Sequence, residues 1–175
     1  MPFRSKSGNG LKILVVELAR DLRNIEALAE ALTRAWDKSK QETLNELEIN
    51  GAAHLVENFY TAIEDLFLRI ANSVDQDVPV GEQWHRDLLQ RMAYDIPEVR
   101  PEVISAELTA VLDEYRRFRH RARHVYAPPV PDWDKFNPLV AEARNTHARL
   151  AECLENWLQF LSAMSKKLPG NSPTD

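Results

Sequence analysis

The segment from Tyr115 to Tyr126, YRRFRHRARHVY, combines residue types that suit phosphodiester chemistry. It contains five arginines, two histidines and no acidic residue, whereas the 175-residue chain has a formal net charge of -5. Arginine donates paired hydrogen bonds to phosphate and keeps its charge, and histidine exchanges protons near neutral pH. Because RNA carries its own nucleophile, the 2′-hydroxyl, a base, an acid and a cation are sufficient to cleave it without a metal. The segment contains residues for all three roles.

The same segment also has a purely structural interpretation. Cationic side chains near the C-terminus of a helix bind the last carbonyl groups and interact favourably with the helix dipole. A run of charges is typical of a solvated helix face. Composition alone favours this structural interpretation over a catalytic one.

Helix geometry restricts how the candidate residues can act together. Arg119 and His124 lie about 140° apart around a straight helix, whereas Arg119 and Tyr126 are only about 20° apart. Three arrangements remain open. The helix unwinds before Pro128 and lets His124 turn toward Arg119, or a second copy of the chain completes the site. In the third, His120 and His124, an i,i+4 pair, are the working histidines or half of a metal site.

The elements that must position these residues are predicted to be helices. Glycines are few and alternating strand patterns bounded by turn signals are missing, which indicates an all-α chain. The apolar spacing and the prolines predict helices over about 11–37, 41–71, 82–94, 102–126 and 138–166. Short connections predict an antiparallel helical bundle of four long helices plus one short helix.

Two boundaries within this bundle depend on proline and its neighbours. Pro101 is expected in the first turn of the fourth helix, which begins near Glu102, and Asn137 is expected to cap the last helix at Pro138. The bundle is predicted to be one domain over 11–166, with disordered tails at 1–10 and 167–175. The predicted buried stripe of the fourth helix consists of Ile104, Leu108, Val111, Tyr115, Phe118, Ala122 and Val125.

Polar residues outside the segment have weaker functional signals. A flank of the second helix carries His54, Glu57, Tyr60, Glu64 and Asp65, and a solvated flank is the simpler interpretation. Within it Glu64 has the better functional claim, because an acid that faces an arginine orients it. Trp84 and His85 are expected to serve packing, and His147 is expected to be a hydrogen-bonded core histidine.

Composition excludes several classes of protein. The single cysteine, Cys153, excludes an internal disulfide framework and fits a reducing compartment. No apolar run approaches the length of a membrane span, so we expect a cytoplasmic protein without membrane contact. The acidic net charge argues against a general nucleic-acid coat protein, but it leaves room for a local basic site.

Three of these residues match a known motif. Arg119, His124 and Tyr126 fit the R-x4-H-x-Y pattern of HEPN-domain ribonuclease toxins of the HepT type, with His120 at a position that is usually polar. HLVENFYTAIEDLFLRIA resembles that family's helix with a Y-x-x-I-E core. WHRDLLQRM, followed by RP and the arginine-rich segment, resembles the order found in a HepT-like branch. The resemblance spans about 44–126.

The resemblance implies a HEPN-like homodimer whose two motif regions face a shared cleft and cleave RNA without metal or cofactor. Arg119 and His124 are then the catalytic pair, although the second histidine, His120, leaves the choice between the two histidines open. We expect the supporting residues to be His120, Arg123 and Glu64.

The resemblance also implies a partner and a modification. Such toxins are commonly encoded with a nucleotidyltransferase antitoxin, which in the best-known type transfers AMP to the motif tyrosine, here Tyr126. Some HEPN proteins bind without catalysis. The alternatives are therefore a non-catalytic bundle that binds RNA, nucleotide or a protein through the arginine and histidine patch, and a purely structural bundle.

Overall fold

The computed structural model describes residues 8–124 and 130–167, and the side chains of residues 8, 123, 124 and 164–167 lie outside that description. Within the described ranges the chain forms five α-helices and no β-strand. The helices are α1 (Gly8–Ser39), α2 (Glu46–Ile70), α3 (Trp84–Met92), α4 (Ala106–His124) and α5 (Trp133–Lys167). The predicted all-α bundle of four long helices and one short helix is confirmed.

Helix α2 lies at the centre of the bundle and packs against the other four helices. Its buried side chains form one broad face, and they include Val56, Phe59, Ile63, Phe67 and Ile70. It begins at residue 46 rather than near 41, because Asn45 forms a capping box with Glu48. In a capping box the two side chains satisfy backbone N–H groups that the first helical turn leaves without partners.

Contacts between the long helices fix their directions. Arg69, near the end of α2, binds Asp21 of α1 at 2.8 Å, and Lys38, near the end of α1, binds Glu48 at 2.5 Å. Helices α1 and α2 are therefore antiparallel. Helices α4 and α5 are also antiparallel, because the rings of Phe118 and Phe136 meet while the Tyr115 hydroxyl donates to the later Leu139 carbonyl at 2.8 Å.

The start of α4 differs from the sequence-based prediction. The helix begins at Ala106 rather than near Glu102, because the Ser105 hydroxyl accepts a hydrogen bond from the Leu108 amide at 3.2 Å. Serine at this position satisfies one of the free amides of the first turn. The predicted place of Pro101 in the first turn of α4 is therefore wrong.

The start of α5 also differs. The helix begins at Trp133, and an Asp132 carboxylate oxygen accepts from the Asp134 amide at 3.2 Å. Pro138 lies inside the helix, where its ring removes one intrahelical hydrogen bond without ending the helix. The predicted cap at Asn137 is wrong for this reason.

The connection between α2 and α3 places α3 beside α2. A π-helical turn, Ala71–Asp75, continues α2, and the chain then reaches Gly81, whose φ of 95° suits glycine. The Trp84 amide donates to the Gly81 carbonyl at 3.3 Å as α3 begins. This turn brings the first residues of α3 against the C-terminal half of α2, where His85 contacts Glu64.

The ends of the bundle extend into the predicted tails. Helix α1 includes residues 8–10 and α5 includes Lys167, whereas the rest of the predicted tails, 1–7 and 168–175, lies outside the described residues. Across the described ranges, no helix combines the length and the apolar character that crossing a membrane requires.

Candidate functional site

Arg119 occupies a core position of α4. Leu108, Leu112, Tyr115 and Arg119 follow one another at spacings of four, three and four residues, which places them on one helix face. All four are buried, and Arg119 is only 7% exposed. The predicted stripe contained Val111, which is half-buried, and omitted Leu112. The buried face is therefore rotated toward Arg119, and the arginine points into the bundle.

Helix α2 holds the guanidinium group of Arg119 through two residues one turn apart. The Arg119 Nε–H donates to the Thr61 hydroxyl oxygen at 3.0 Å, and Nη2 lies 3.3 Å from Glu64 Oε2. Thr61 itself donates to the Glu57 carbonyl at 2.9 Å, so its oxygen is oriented to accept from the arginine. These contacts fix the plane of the guanidinium between α2 and α4.

His85, at the start of α3, completes a cluster with Glu64 and Arg119. Its Nδ1 lies 2.6 Å from Glu64 Oε1 and 3.5 Å from Arg119 Nη1. The imidazole stacks on the Trp84 ring with centroids 3.6 Å apart. The His85 side chain is 29% exposed, whereas that of Glu64 is 3% exposed. The cluster therefore has a buried acid at its base and a partly accessible histidine toward solvent.

The contacts determine where the imidazole carries its proton. An ionised carboxylate only accepts hydrogen bonds, and arginine N–H groups only donate. We assign the His85 proton to Nδ1, because that N–H donates to Glu64 and cannot accept from Arg119. In the neutral ring Nε2 is then the nitrogen that accepts a proton.

Charge within the cluster is balanced. Glu64 is buried, and the guanidinium of Arg119 supplies the opposite charge that a buried carboxylate requires. Tyr60 lies one turn before Glu64 on α2, and burial, together with the Glu64 charge, raises its pKa well above the ordinary range. Tyr60 is therefore neutral wherever histidine chemistry operates.

A second buried arginine shows what a fully engaged guanidinium looks like. Arg100 has a side chain that is 0% exposed, and it binds both carboxylate oxygens of Asp75 at 2.6 and 2.9 Å. It also donates to the backbone carbonyls of Arg91, Tyr94 and Pro101. All five N–H groups of Arg100 are used for folding. By contrast, Nη1 of Arg119 faces His85 Nδ1, which in our assignment carries a proton and cannot accept from the arginine.

The other predicted site residues fall at the C-terminal end of α4. His120 is exposed, and the helix continues without interruption through His124. The side chains of Arg123 and His124 lie outside the described part, and Tyr126 lies outside the described residues altogether. On a regular helix Arg119 and His124 leave the axis about 140° apart.

The residues of the polar flank predicted on α2 differ in their exposure to solvent. Tyr60 and Glu64 are buried, whereas His54 and Asp65 are exposed. For His147 the predicted hydrogen bond is not found at Nε2, which is buried without a partner among the described residues. Among the described residues, no three histidine, cysteine or acidic side chains are arranged to hold a metal ion.

His85 is the member of the cluster that sequence reasoning missed. A packing role was predicted for His85, and its ring stacks on Trp84, but its polar contacts join residues 21 and 34 positions away. Local spacing carries no information on contacts at such separations. The sequence held a signal for the cluster as a whole. Arg119 lies at a core spacing on α4, and a buried cation requires a buried acid beside it.

Comparison with known proteins identifies the family. A family model described as HepT-like protein matches residues 51–161, which includes α3, α4 and most of α2 and α5. No curated protein matches the chain, and no solved structure matches it. The matched range contains Glu64, His85, Arg119 and His124, and it extends into α5, which the resemblance noted from the motifs did not reach. Since the family model covers more than half of the sequence, this chain belongs to the HepT-like family.

Proposed function

We propose that this protein is a metal-independent endoribonuclease, the toxin of a toxin–antitoxin pair. The observation that carries the proposal is the Arg119 guanidinium, held by Thr61 and Glu64 with a histidine beside it, in a chain that belongs to the HepT-like family. A fixed cation stabilises the charge that develops on phosphate in the transition state. Arg119 and His124 form the catalytic pair of this proposal, with His120 and Arg123 in support.

A homodimer explains how Arg119 and His124 act together. They project from α4 in directions about 140° apart, so within one regular helix they do not face one substrate phosphate. A second copy of the chain across a shared cleft brings His124 of one protomer toward Arg119 of the other. We therefore expect a dimer at micromolar concentration in sedimentation experiments. A monomer with full activity would contradict this assembly.

The proposed partner is a nucleotidyltransferase antitoxin that transfers AMP to Tyr126. Tyr126 is about 20° from Arg119 around an ideal helix, so the two residues face the same cleft if the helix continues. A phosphate ester there places negative charge among arginines and occupies the position of an RNA phosphate.

A second candidate function is binding without catalysis. The Arg119 side chain is only 9% exposed and is paired with Glu64, as expected for an arginine that stabilises the fold. A HepT-like bundle of this kind would bind RNA, nucleotide or a protein partner through its exposed arginines and histidines. Such a protein leaves RNA intact while retaining affinity for it.

Variants in the motif distinguish the two functions. Replacing His124 with alanine is expected to lower RNA cleavage by about 10²–10⁴-fold, because proton transfer by a side chain contributes that much. The matched control is His54→Ala, which removes an exposed histidine on α2. Loss of cleavage in His120→Ala, with His124→Ala fully active, would transfer the role to His120. If neither the wild type nor any variant cleaves RNA, binding without catalysis is the favoured function.

A further inference from the structure

We propose that His85 is the general base of the RNA cleavage proposed above, and that Glu64 positions it. This inference rests on the proposed function and adds a histidine that the R-x4-H-x-Y motif does not contain. His85 comes from α3, whereas the acid and the cation in contact with it come from α2 and α4. The cluster joins three helices within one chain.

The contact with Glu64 prepares the ring for this role. The carboxylate lies 2.6 Å from Nδ1, so it holds the proton on Nδ1 and leaves Nε2 to accept one. The imidazole also stacks on Trp84, and this stacking restricts rotation of the ring away from the hydrogen bond to Glu64. An acid that orients an imidazole and stabilises its protonated form is the arrangement of hydrolase triads.

The position of Arg119 brings a phosphate to this histidine. The guanidinium uses Nε for Thr61 and Nη2 for Glu64, and Nη1 lies 3.5 Å from the imidazole. A phosphate oxygen that binds at Nη1 is therefore adjacent to His85, whose side chain is 29% exposed. Arginine is too basic to accept a proton at neutral pH, so the neighbouring histidine takes that role.

The proposed step is a transesterification within the RNA. The Nε2 atom of His85 takes the proton of the RNA 2′-hydroxyl, and the 2′-oxygen forms a bond to phosphorus. The bond from phosphorus to the 5′-oxygen breaks, and that oxygen receives a proton from a protonated histidine, the role given to His124, or from water. The products are a 2′,3′-cyclic phosphate and a 5′-hydroxyl. Arg119 faces the negative charge on the phosphorane.

The test compares two substitutions of His85 in the full chain. The asparagine in His85→Asn has an amide N–H that replaces Nδ1–H toward Glu64, but it has no group that replaces Nε2. If His85 is the base, His85→Asn lowers kcat by about 10²–10⁴-fold while the thermal midpoint of unfolding stays near that of the wild type. His85→Ala removes both the contact and the base. Wild-type activity in His85→Asn would show a structural role and overturn the inference.

A substrate with an activated leaving group separates the base from the acid. A uridine 3′-phosphodiester of 4-nitrophenol needs no proton on its leaving oxygen, so a variant that lacks only the acid regains rate with it. His85→Asn is expected to remain slow, and the limb of its kcat/KM pH profile that reports deprotonation of the base is expected to disappear. The charged groups facing the ring, Glu64 from α2 and Arg119 from α4, are unchanged in this variant. Recovery of the rate would assign His85 as the acid and contradict the inference.

Glu64 is tested as a positioning residue. Glu64→Gln keeps the shape of the side chain but removes the charge that stabilises a protonated imidazole. We expect kcat to fall by a larger factor than KM rises in protein shown to be folded by its thermal midpoint of unfolding, because Glu64 pairs with Arg119 but does not itself contact the substrate. A rise in KM with unchanged kcat would contradict this role.

Failure of this inference is distinguishable from failure of the proposed function. A wild-type protein that leaves both RNA and the activated diester intact overturns the proposed function, and the base role with it. An active wild type with an equally active His85→Asn variant overturns the base role alone.

Discussion

At the scale of residues, the central feature is a buried ion pair that carries both stability and the proposed chemistry. Arg119 and Glu64 are both largely buried and contact each other at 3.3 Å. Removing one partner of such a pair leaves an uncompensated charge in the core, which costs more than the pair itself contributes. Loss of activity in an Arg119 variant is therefore informative only when folding is measured beside it.

We predict that Arg119→Ala lowers the free energy of unfolding by about 3–5 kcal/mol, because Glu64 is left buried without its cation. Urea denaturation followed by circular dichroism measures this loss. The double variant Arg119→Ala with Glu64→Ala should be more stable than the sum of the single losses predicts, since it removes both charges. Additive losses would show that the two residues do not interact in the folded protein.

Sequence reasoning reached part of this cluster. The helical spacing of Arg119 beside an apolar stripe and the choice of Glu64 as an acid facing an arginine follow from local pattern, and the structure places the two side chains in contact. His85 required knowledge of how the chain turns at Gly81 to bring α3 against α2. Gly81 permits the turn, but the residue that the turn brings to His85, Glu64, is 21 positions away in the sequence.

At the scale of elements, the helix ends determine where the site residues lie. Asn45 accepts hydrogen bonds from the amides of Leu47 and Glu48 at 3.0 and 3.1 Å, and Glu48 accepts from the Asn45 amide at 2.8 Å. This cap fixes the first turn of α2, the helix that carries Thr61 and Glu64. The pKa of Glu48 is lowered chiefly by its hydrogen bond to Lys38 and then by the Asn45 amide.

We predict that Asn45→Ala lowers the free energy of unfolding by about 0.5–2 kcal/mol, because the first amides of α2 lose their acceptor. Asn45→Asp keeps an oxygen in the same position and is the matched control. Chemical denaturation of the three proteins measures the difference. Equal stability of Asn45→Ala and the wild type would show that water replaces the cap without cost.

The residues at which helices begin were the least predictable part of the fold. Pro101 and Pro138 both suit the first turn of a helix, and prediction placed helix starts beside them. The structure instead uses the polar side chains of Ser105 and Asp132. A proline inside a helix removes one intrahelical hydrogen bond and crowds the preceding turn, yet Pro138 lies within α5, a long helix that packs along α1. Helix number and class, which depend on periodicity over many residues, were predictable.

At the scale of the whole molecule, two buried tyrosines link the fold to pH. Burial raises the pKa of Tyr60 and of Tyr115 above the ordinary value for tyrosine. Since a raised folded-state pKa favours the protonated form, the stabilisation is complete below the unfolded value of about 10 and is lost as the pH rises above it. The bundle is therefore expected to lose stability as the pH rises above about 10.

Above about pH 10, the free energy of unfolding falls as the pH rises. We predict that Tyr60→Phe reduces the slope of this fall by about 1.4 kcal/mol per pH unit, because one linked proton is removed. Urea denaturation at a series of alkaline pH values measures the slope. Tyr94→Phe is the control, since Tyr94 is 56% exposed. Identical slopes for Tyr60→Phe and the wild type would contradict the linkage.

Cleavage of RNA by the purified chain in excess chelator tests the proposed function most directly. We predict internal cuts with 2′,3′-cyclic phosphate and 5′-hydroxyl ends, identified by mass spectrometry of the fragments, and strong loss of cutting in His124→Ala but not in the exposed-site control His54→Ala. Intact RNA after incubation with the folded wild-type protein would contradict the account and leave the chain as a binding or structural member of its family.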